Sequence, residues 1–240
     1  MKDRKNPSKM KSLFYDFCYD FVKITGAPPT LLWARPKIYY PFGKPNKKGA
    51  IMVSSNHNTF LDPIYVHLAF PWRRMNSLAT KDLFRNEFTR KFFNVMHCII
   101  VDKNNFSLTS FHEVVKRLEE GKLVVIFPEG QVNQGADDHM LAFKSGAVLM
   151  AHKAGAPILP MYLVRRKSWI QRQRIVVGQP VDISAMLGKM PSMEDLNRAT
   201  DVLREKELEL REYFESLPVY KKLNPETKTI EDKERTENLT

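Results

Sequence analysis

Two histidine–carboxylate pairs share one spacing, His57…Asp62 and His97…Asp102. An imidazole held at one nitrogen by a carboxylate can take a proton on the other, which is the chemistry of a general base. Their surroundings separate the two pairs. His97 leads into Cys98-Ile99-Ile100-Val101, which reads as a strand. Five steps along a strand cover ~16 Å and end on the opposite face, so that pair cannot hydrogen-bond and His97 reads as structural or at a rim. His57 instead follows a strand end, Val53-Ser54-Ser55-Asn56, and enters a strand-to-helix turn that closes with Asp62 just before Pro63. A compact turn can bring imidazole and carboxylate together; Asp62 could equally be a helix N-cap. A third candidate is Phe127-Pro128-Glu129-Gly130, at the end of a strand read over Leu123–Phe127. Strand ends are where open α/β sheets build their sites. Pro128 and Gly130 shape a loop that either offers Glu129 and backbone N–H groups to a ligand or is an ordinary turn with a solvent-facing Glu. Ser54 and Ser55 lie beside His57, but no GxSxG elbow surrounds them, which argues against a serine nucleophile. His57 and Asp62 have no third partner at ligand spacing, so no metal site is expected.

These residues need strands and helices to hold them. Strand-like runs occur at 50–54, 77–80, 98–101, 123–127, 158–164 and 174–177. Helical spacing occurs from Pro63 onward and over Asp82–Met96, Ser107–Glu120, His139–Ala154 and Met193–Phe214. Repeated alternation of this kind predicts an α/β domain with a largely buried sheet. Ahead of it, Leu13, Phe14, Phe17, Cys18, Phe21 and Val22 share one helical face opposite Asp16, Asp20 and Lys23, and Gly26, Pro28 and Pro29 are expected to end that helix. The helix either packs on the core or lies in a membrane interface, with three Phe on its apolar face and basic residues nearby. The expected organisation is an N-terminal amphipathic segment over 1–35, a main domain over 36–220 and a disordered polar tail over 221–240.

Composition limits the function. The chain has 240 residues, 43% hydrophobic, which supports a real core and excludes a disordered or fibrous chain. No run approaches the ~18 apolar residues of a spanning helix, and no signal-peptide pattern opens the chain. Two distant cysteines, Cys18 and Cys98, suggest neither a disulfide scaffold nor a zinc site and favour a reducing compartment. The net charge is +11, although residues 201–240 hold 8 basic against 11 acidic groups, so the excess lies in the body of the chain. Such a body attracts polyanions: nucleic acid, an acidic membrane or phosphate-bearing substrates. Arg165-Arg166-Lys167, Trp169, Arg172 and Arg174 form a local basic cluster, either a solvated face or a patch for headgroups or cofactor phosphates.

Taken together, His57-Asn58-Thr59-Phe60-Leu61-Asp62 and the later Phe127-Pro128-Glu129-Gly130 resemble the glycerolipid acyltransferase family, and bacterial 1-acyl-glycerol-3-phosphate acyltransferases in particular. Ile99–Asn105, Phe143-Lys144-Ser145-Gly146-Ala147 and Gly155–Pro160 resemble further blocks of that family, in order, over about residues 36–180. The resemblance implies a mixed sheet flanked by helices and a membrane-dipping N-terminal helix. It implies His57 as general base, Asp62 as its orienting partner, Glu129 with Gly130 at the glycerol backbone, and Lys103 and Lys144 at the acceptor phosphate. It also implies acyl-CoA or acyl carrier protein as co-substrate, with no bound cofactor. The partners would be a membrane surface and a lysophospholipid, not nucleic acid, on the cytoplasmic side of the cell membrane. Two departures touch the phosphate contacts. Gln131-Val132-Asn133 replaces the usual Thr-Arg-Ser, and Lys103 replaces an Arg, a point charge in place of a fork. Tafazzin-like transacylases also carry Val-Asn here, so transacylation from a phospholipid donor is the alternative activity. A non-catalytic basic protein that binds membranes or nucleic acid is the other alternative.

Overall fold

The computed structural model describes residues 7–46, 48–102, 108–135 and 139–223. Lys103 and the tail expected beyond Leu223 lie outside the described residues. Seven strands form one sheet: β1 (Lys37–Tyr39), β2 (Ile51–Ser55), β3 (Met75–Thr80), β4 (Ile99–Val101), β5 (Leu123–Ile126), β6 (Ile158–Leu163) and β7 (Arg174–Val177). Their order across the sheet is β1-β7-β6-β2-β5-β3-β4, and every neighbouring pair is parallel except β6 with β7. The helices are α1 (Pro7–Ala34), α2 (Asp62–Ala69), α3 (Glu87–Val95), α4 (Leu108–Glu119), α5 (Gly146–Ala154), α6 (Met193–Ser216) and α7 (Pro218–Leu223). The expected mixed α/β architecture is therefore present.

The central strands are covered on both faces, which is why β2, β5 and β6 read as nearly unbroken apolar runs and are buried along their whole length. Alternation along each strand divides the core. Ile51, Val53, Leu123 and Val125 meet Tyr65 and Val66 of α2 on one face. Met52, Val124 and Ile126 meet Leu118 of α4, Val148 of α5 and Leu203 of α6 on the other. Strands β2 and β5 are parallel neighbours with Ser54 opposite Ile126. Both chains leave the sheet at the same edge, so His57 and Glu129, each three residues past that pair, emerge side by side.

Several elements differ from expectation. α1 does not end at Gly26–Pro29 but continues to Ala34 with both prolines inside it. Pro28 and Pro29 remove the amide donors to the carbonyls of Ile24 and Thr25, and all four residues are exposed, where solvent can replace the lost donors. The helix expected over His139–Ala154 exists only from Gly146. Upstream, tertiary partners take the backbone: Asn133 donates to the His139 carbonyl, Arg204 to those of Met140 and Leu141, and the Lys144 amide to Pro128. The helix expected over Asp82–Met96 is interrupted, because Asn86 and Thr89 form a reciprocal cap that starts α3 at Glu87. The short edge strand β1 and the last helix α7 carry too few residues to leave a periodic signal.

α1 docks through its polar side. Tyr19 is buried and accepts the Met75 amide at 2.9 Å, Asp16 and Asp20 pair with Arg74, and Asp16 also pairs with His97 at 3.2 Å. Most of the apolar side faces away from the domain, with Leu13, Phe14, Phe17, Phe21 and Ile24 each at least 60% exposed, while Cys18 and Val22 of the same face are half-buried and Val22 turns inward. Packing on the core would have buried that stripe instead. Among the described residues no helix is long and apolar enough to cross a membrane.

Candidate active site

The turn after β2 folds around one carboxylate. Asp62 Oδ2 receives His57 Nδ1 at 2.8 Å, the Asn58 amide at 2.5 Å and the Thr59 amide at 2.8 Å, while the Thr59 hydroxyl donates to Oδ1 at 2.9 Å. Asp62 is 1% exposed, and its bonds reach back into the turn rather than forward into α2, so it is not a helix N-cap. An ionised carboxylate only accepts, which places the proton of His57 on Nδ1 and leaves the Nε2 lone pair available. The imidazole stacks on Phe127 with centroids 4.2 Å apart. Asn56 and Asn58 tie the turn to the end of β6 through both backbone groups of Leu163.

Glu129 is buried, and its Oε1 accepts the His57 amide at 3.2 Å. Burial raises its carboxyl above the ordinary value, opposed by the backbone amides of His57 and Leu141 and by the His57 ring. Asn133 completes the frame by donating its amide to the His57 carbonyl at 2.7 Å, and Arg165 in turn donates to the Asn133 carbonyl at 3.0 Å. The amides of His57, Asn58 and Thr59 are thus engaged by carboxylates and are not free to hold an oxyanion.

Lys144 reaches the same place from the segment before α5. A Cβ on Gly130 would meet Lys144 Nζ at 2.8 Å and Cε at 2.9 Å, and Gly130 has φ +70°, a conformation that disfavours side chains. Gly130→Ala should therefore displace the Lys144 ammonium and cost about 1–2 kcal/mol of backbone strain. At this chain length that is a fall of roughly 2–8 °C in Tm by thermal unfolding. An unchanged Tm would show that the loop relaxes.

His57, Gly130 and Lys144 border a cavity of about 1480 Å³ that runs under α1 and α3. Val22, Leu68, Leu78, Phe92 and Phe93 make much of its wall apolar. Inside it lies a polar pair the sequence did not reveal: the Tyr19 hydroxyl stands 3.5 Å from His67 Nδ1. Burial pushes Tyr19 up to about 12 and His67 down to about 4, so both are neutral at pH 7. The second histidine pair is engaged elsewhere, His97 with Asp16 and Asp102 with Lys81 at 2.9 Å, and His97 lies not in the expected strand but in the turn before β4, with φ +56°. Part of the basic cluster is structural. Arg166 lies over the Trp33 ring at 4.5 Å and donates to the Tyr65 hydroxyl at 2.9 Å.

A mixed sheet releases a carboxylate-held histidine and a buried glutamate from adjacent strand ends, beside a large cavity with much apolar wall. Residues 37–164 match the acyltransferase family, and the chain belongs to it. It is 26% identical over 208 residues to the 1-acyl-sn-glycerol-3-phosphate acyltransferase of Bacillus subtilis, covering 85% of this chain and all of that one. It is 34% identical over 119 residues to the enzyme of that name from Borreliella burgdorferi, covering 49% of this chain and 46% of the relative. The fold matches the crystal structure of the 1-acyl-sn-glycerophosphate acyltransferase PlsC of Thermotoga maritima with a TM-score of 0.60 at 17% identity, covering 86% of this chain and 84% of that one.

Proposed function

We propose that the protein is a 1-acyl-sn-glycerol-3-phosphate O-acyltransferase that moves a fatty acyl group from a thioester, acyl-CoA or acyl carrier protein, to lysophosphatidic acid and so makes phosphatidic acid. The observation that carries this is the His57–Asp62 pair, with Nε2 available, beside Glu129 at the mouth of the apolar cavity. A thioester is already activated, so no enzyme nucleophile is needed. His57 Nε2 takes the proton of the acceptor hydroxyl as its oxygen attacks the thioester carbon. Asp62 stabilises the imidazolium, the tetrahedral intermediate collapses, the C–S bond breaks, and the departing sulfur takes the proton back from His57. Ser54 and Ser55 are buried, and Ser54 is bonded to Glu207, which supports direct transfer over a serine ester. The cavity accommodates an acyl chain, and Glu129 accepts from the glycerol backbone. Lys144 and Lys103 hold the phosphate, each as a point charge where a guanidinium would fork. The site reaches lipid by resting on the cytoplasmic face of the membrane through the exposed aromatic side of α1.

The acceptor assignment has its own test. Steady-state rates are measured with lysophosphatidic acid and with unphosphorylated monoacylglycerol. The wild type should prefer the phosphorylated acceptor strongly. Lys103→Ala and Lys144→Ala should each raise the KM for lysophosphatidic acid about 10-fold, in line with a charge-assisted contact of roughly 1.5 kcal/mol. KM for the thioester should stay unchanged, as should rates with monoacylglycerol. Wild type that uses both acceptors equally would remove the phosphate from the account.

A further inference from the structure

Glu207 is a charged residue type with no exposed surface, in the middle of α6 and on the far side of the sheet from α1 and α2. Nothing in the acyl-transfer steps uses it. Its Oε1 accepts the Ser54 hydroxyl at 2.6 Å, and Ser54 lies in β2 three residues before His57. Its Oε2 is buried without a hydrogen-bond partner, and so is Oε2 of Glu129. The two carboxyls feel each other electrostatically. One turn earlier on α6, Arg204 donates to the carbonyls of Met140 and Leu141, in the segment that brings Lys144 over Gly130. One helix therefore grips both walls of the site from behind.

We propose that Glu207 is a positioning residue for acyl transfer: through Ser54 it fixes the end of β2 from which His57 emerges, and it backs the seat of Glu129. Burial, reinforced by Glu129, raises its carboxyl well above the ordinary value against the opposing pull of Ser54 and the Asn56 amide. A leucine of similar size would fill the space on α6 but leave the buried Ser54 hydroxyl without its acceptor, a cost of about 1–3 kcal/mol that a domain of this size can bear. Loss of activity without loss of fold is therefore the mark of positioning. The inference rests on the reading of His57 and Glu129 as the acyl-transfer site.

The test compares Glu207→Gln, Glu207→Leu and Ser54→Ala in the full chain, by Tm and by kcat and KM for lysophosphatidic acid and thioester. Glu207→Gln keeps an acceptor for Ser54 and carries no charge, so its kcat/KM should stay within about threefold of wild type. Glu207→Leu should still fold, with a Tm lower by roughly 2–12 °C because the buried Ser54 hydroxyl loses its acceptor. Its kcat/KM for the acceptor should fall about 10–100-fold, the scale of a small misplacement of reacting groups, while KM for the thioester holds. Ser54→Ala should lose about 3–10-fold alone and nothing further in the Leu background, since the two act through one bond. Wild-type activity in folded Glu207→Leu would overturn the proposal, as would a Gln variant as impaired as the Leu variant. If the Leu variant does not fold, full activity in Ser54→Ala overturns it instead. An active His57→Ala variant would refute the site reading itself, whatever the Glu207 variants do.

Discussion

His57→Ala should lower acyl transfer about 10²–10⁴-fold, the range of a positioned general base, in protein that stays folded. The fold should survive because the contact from residue 57 to Glu129 is made by the backbone amide, which alanine retains. What is lost is the ring between Asp62 and Phe127. Asp62→Asn should cost activity no more than this but should also cost stability. Asparagine keeps one carbonyl oxygen and puts an NH2 in place of the other, so it cannot accept all four bonds that the two oxygens of Asp62 now take from His57, Asn58 and Thr59. Donors left unsatisfied in a buried turn cost about 1–3 kcal/mol, a fall of roughly 2–12 °C in Tm at this size. His97→Ala is the control: its ring pairs with Asp16 outside the reaction, so transfer should be little changed. Thermal melts beside initial rates separate the three variants. Equal losses for His57→Ala and His97→Ala in folded protein would remove His57 from the mechanism.

The second large effect concerns the membrane. Phe14, Phe17 and Phe21 together changed to Gln should release the protein from vesicles while leaving the fold intact, since all three side chains face away from the domain. Full burial of a Phe is worth about 1.5–3 kcal/mol, so even one third of that from three rings gives roughly 10–100-fold in vesicle affinity. Activity on bilayer substrate should fall with it, and activity on a short-chain soluble acceptor should persist. The remaining binding should become more salt-sensitive, because it rests on basic residues near anionic headgroups. Co-sedimentation with vesicles rich in anionic lipid, at low and high salt, measures this. Deleting the helix would be a poorer experiment. Tyr19 and Lys23 belong to the cavity wall, and Asp16 and Asp20 hold Arg74. Triple-variant binding equal to wild type at high salt would show that this face serves something other than lipid.

Much of the site was legible because its parts are local. The His57–Asp62 pair spans one turn, and a strand end before it with proline after it constrains that turn enough to suggest contact. The reading of His97 apart from Asp102 assumed a strand running through both, whereas β4 holds only Ile99–Val101 and His97 sits in the turn before it. What the sequence could not provide was strand order. Only the pairing of Ser54 with Ile126 puts Glu129 beside His57, and that register is a property of the assembled sheet. Residues that act across long sequence distances were hidden for the same reason. Tyr19 meets His67, Arg165 meets Asn133, and Glu207 meets Ser54 with 152 residues between them. A glutamate at an apolar position of the α6 heptad-like pattern, Leu203-x3-Glu207-x2-Leu210, was the one available signal for the last of these. Two of the helix errors share a cause. The periodicity of 139–145 and the prolines of α1 were read as local propensity, whereas tertiary hydrogen bonds and solvent exposure decide them.

The most direct test is to incubate the protein with lysophosphatidic acid in vesicles and offer acyl-CoA, acyl carrier protein or a diacyl phospholipid as the sole acyl donor, measuring phosphatidic acid by mass spectrometry and free thiol in the thioester arms. The expected result is phosphatidic acid with at least one thioester, one thiol released per product, and none of this with His57→Ala. Product with the phospholipid donor alone, or thiol release without phosphatidic acid, would contradict the account.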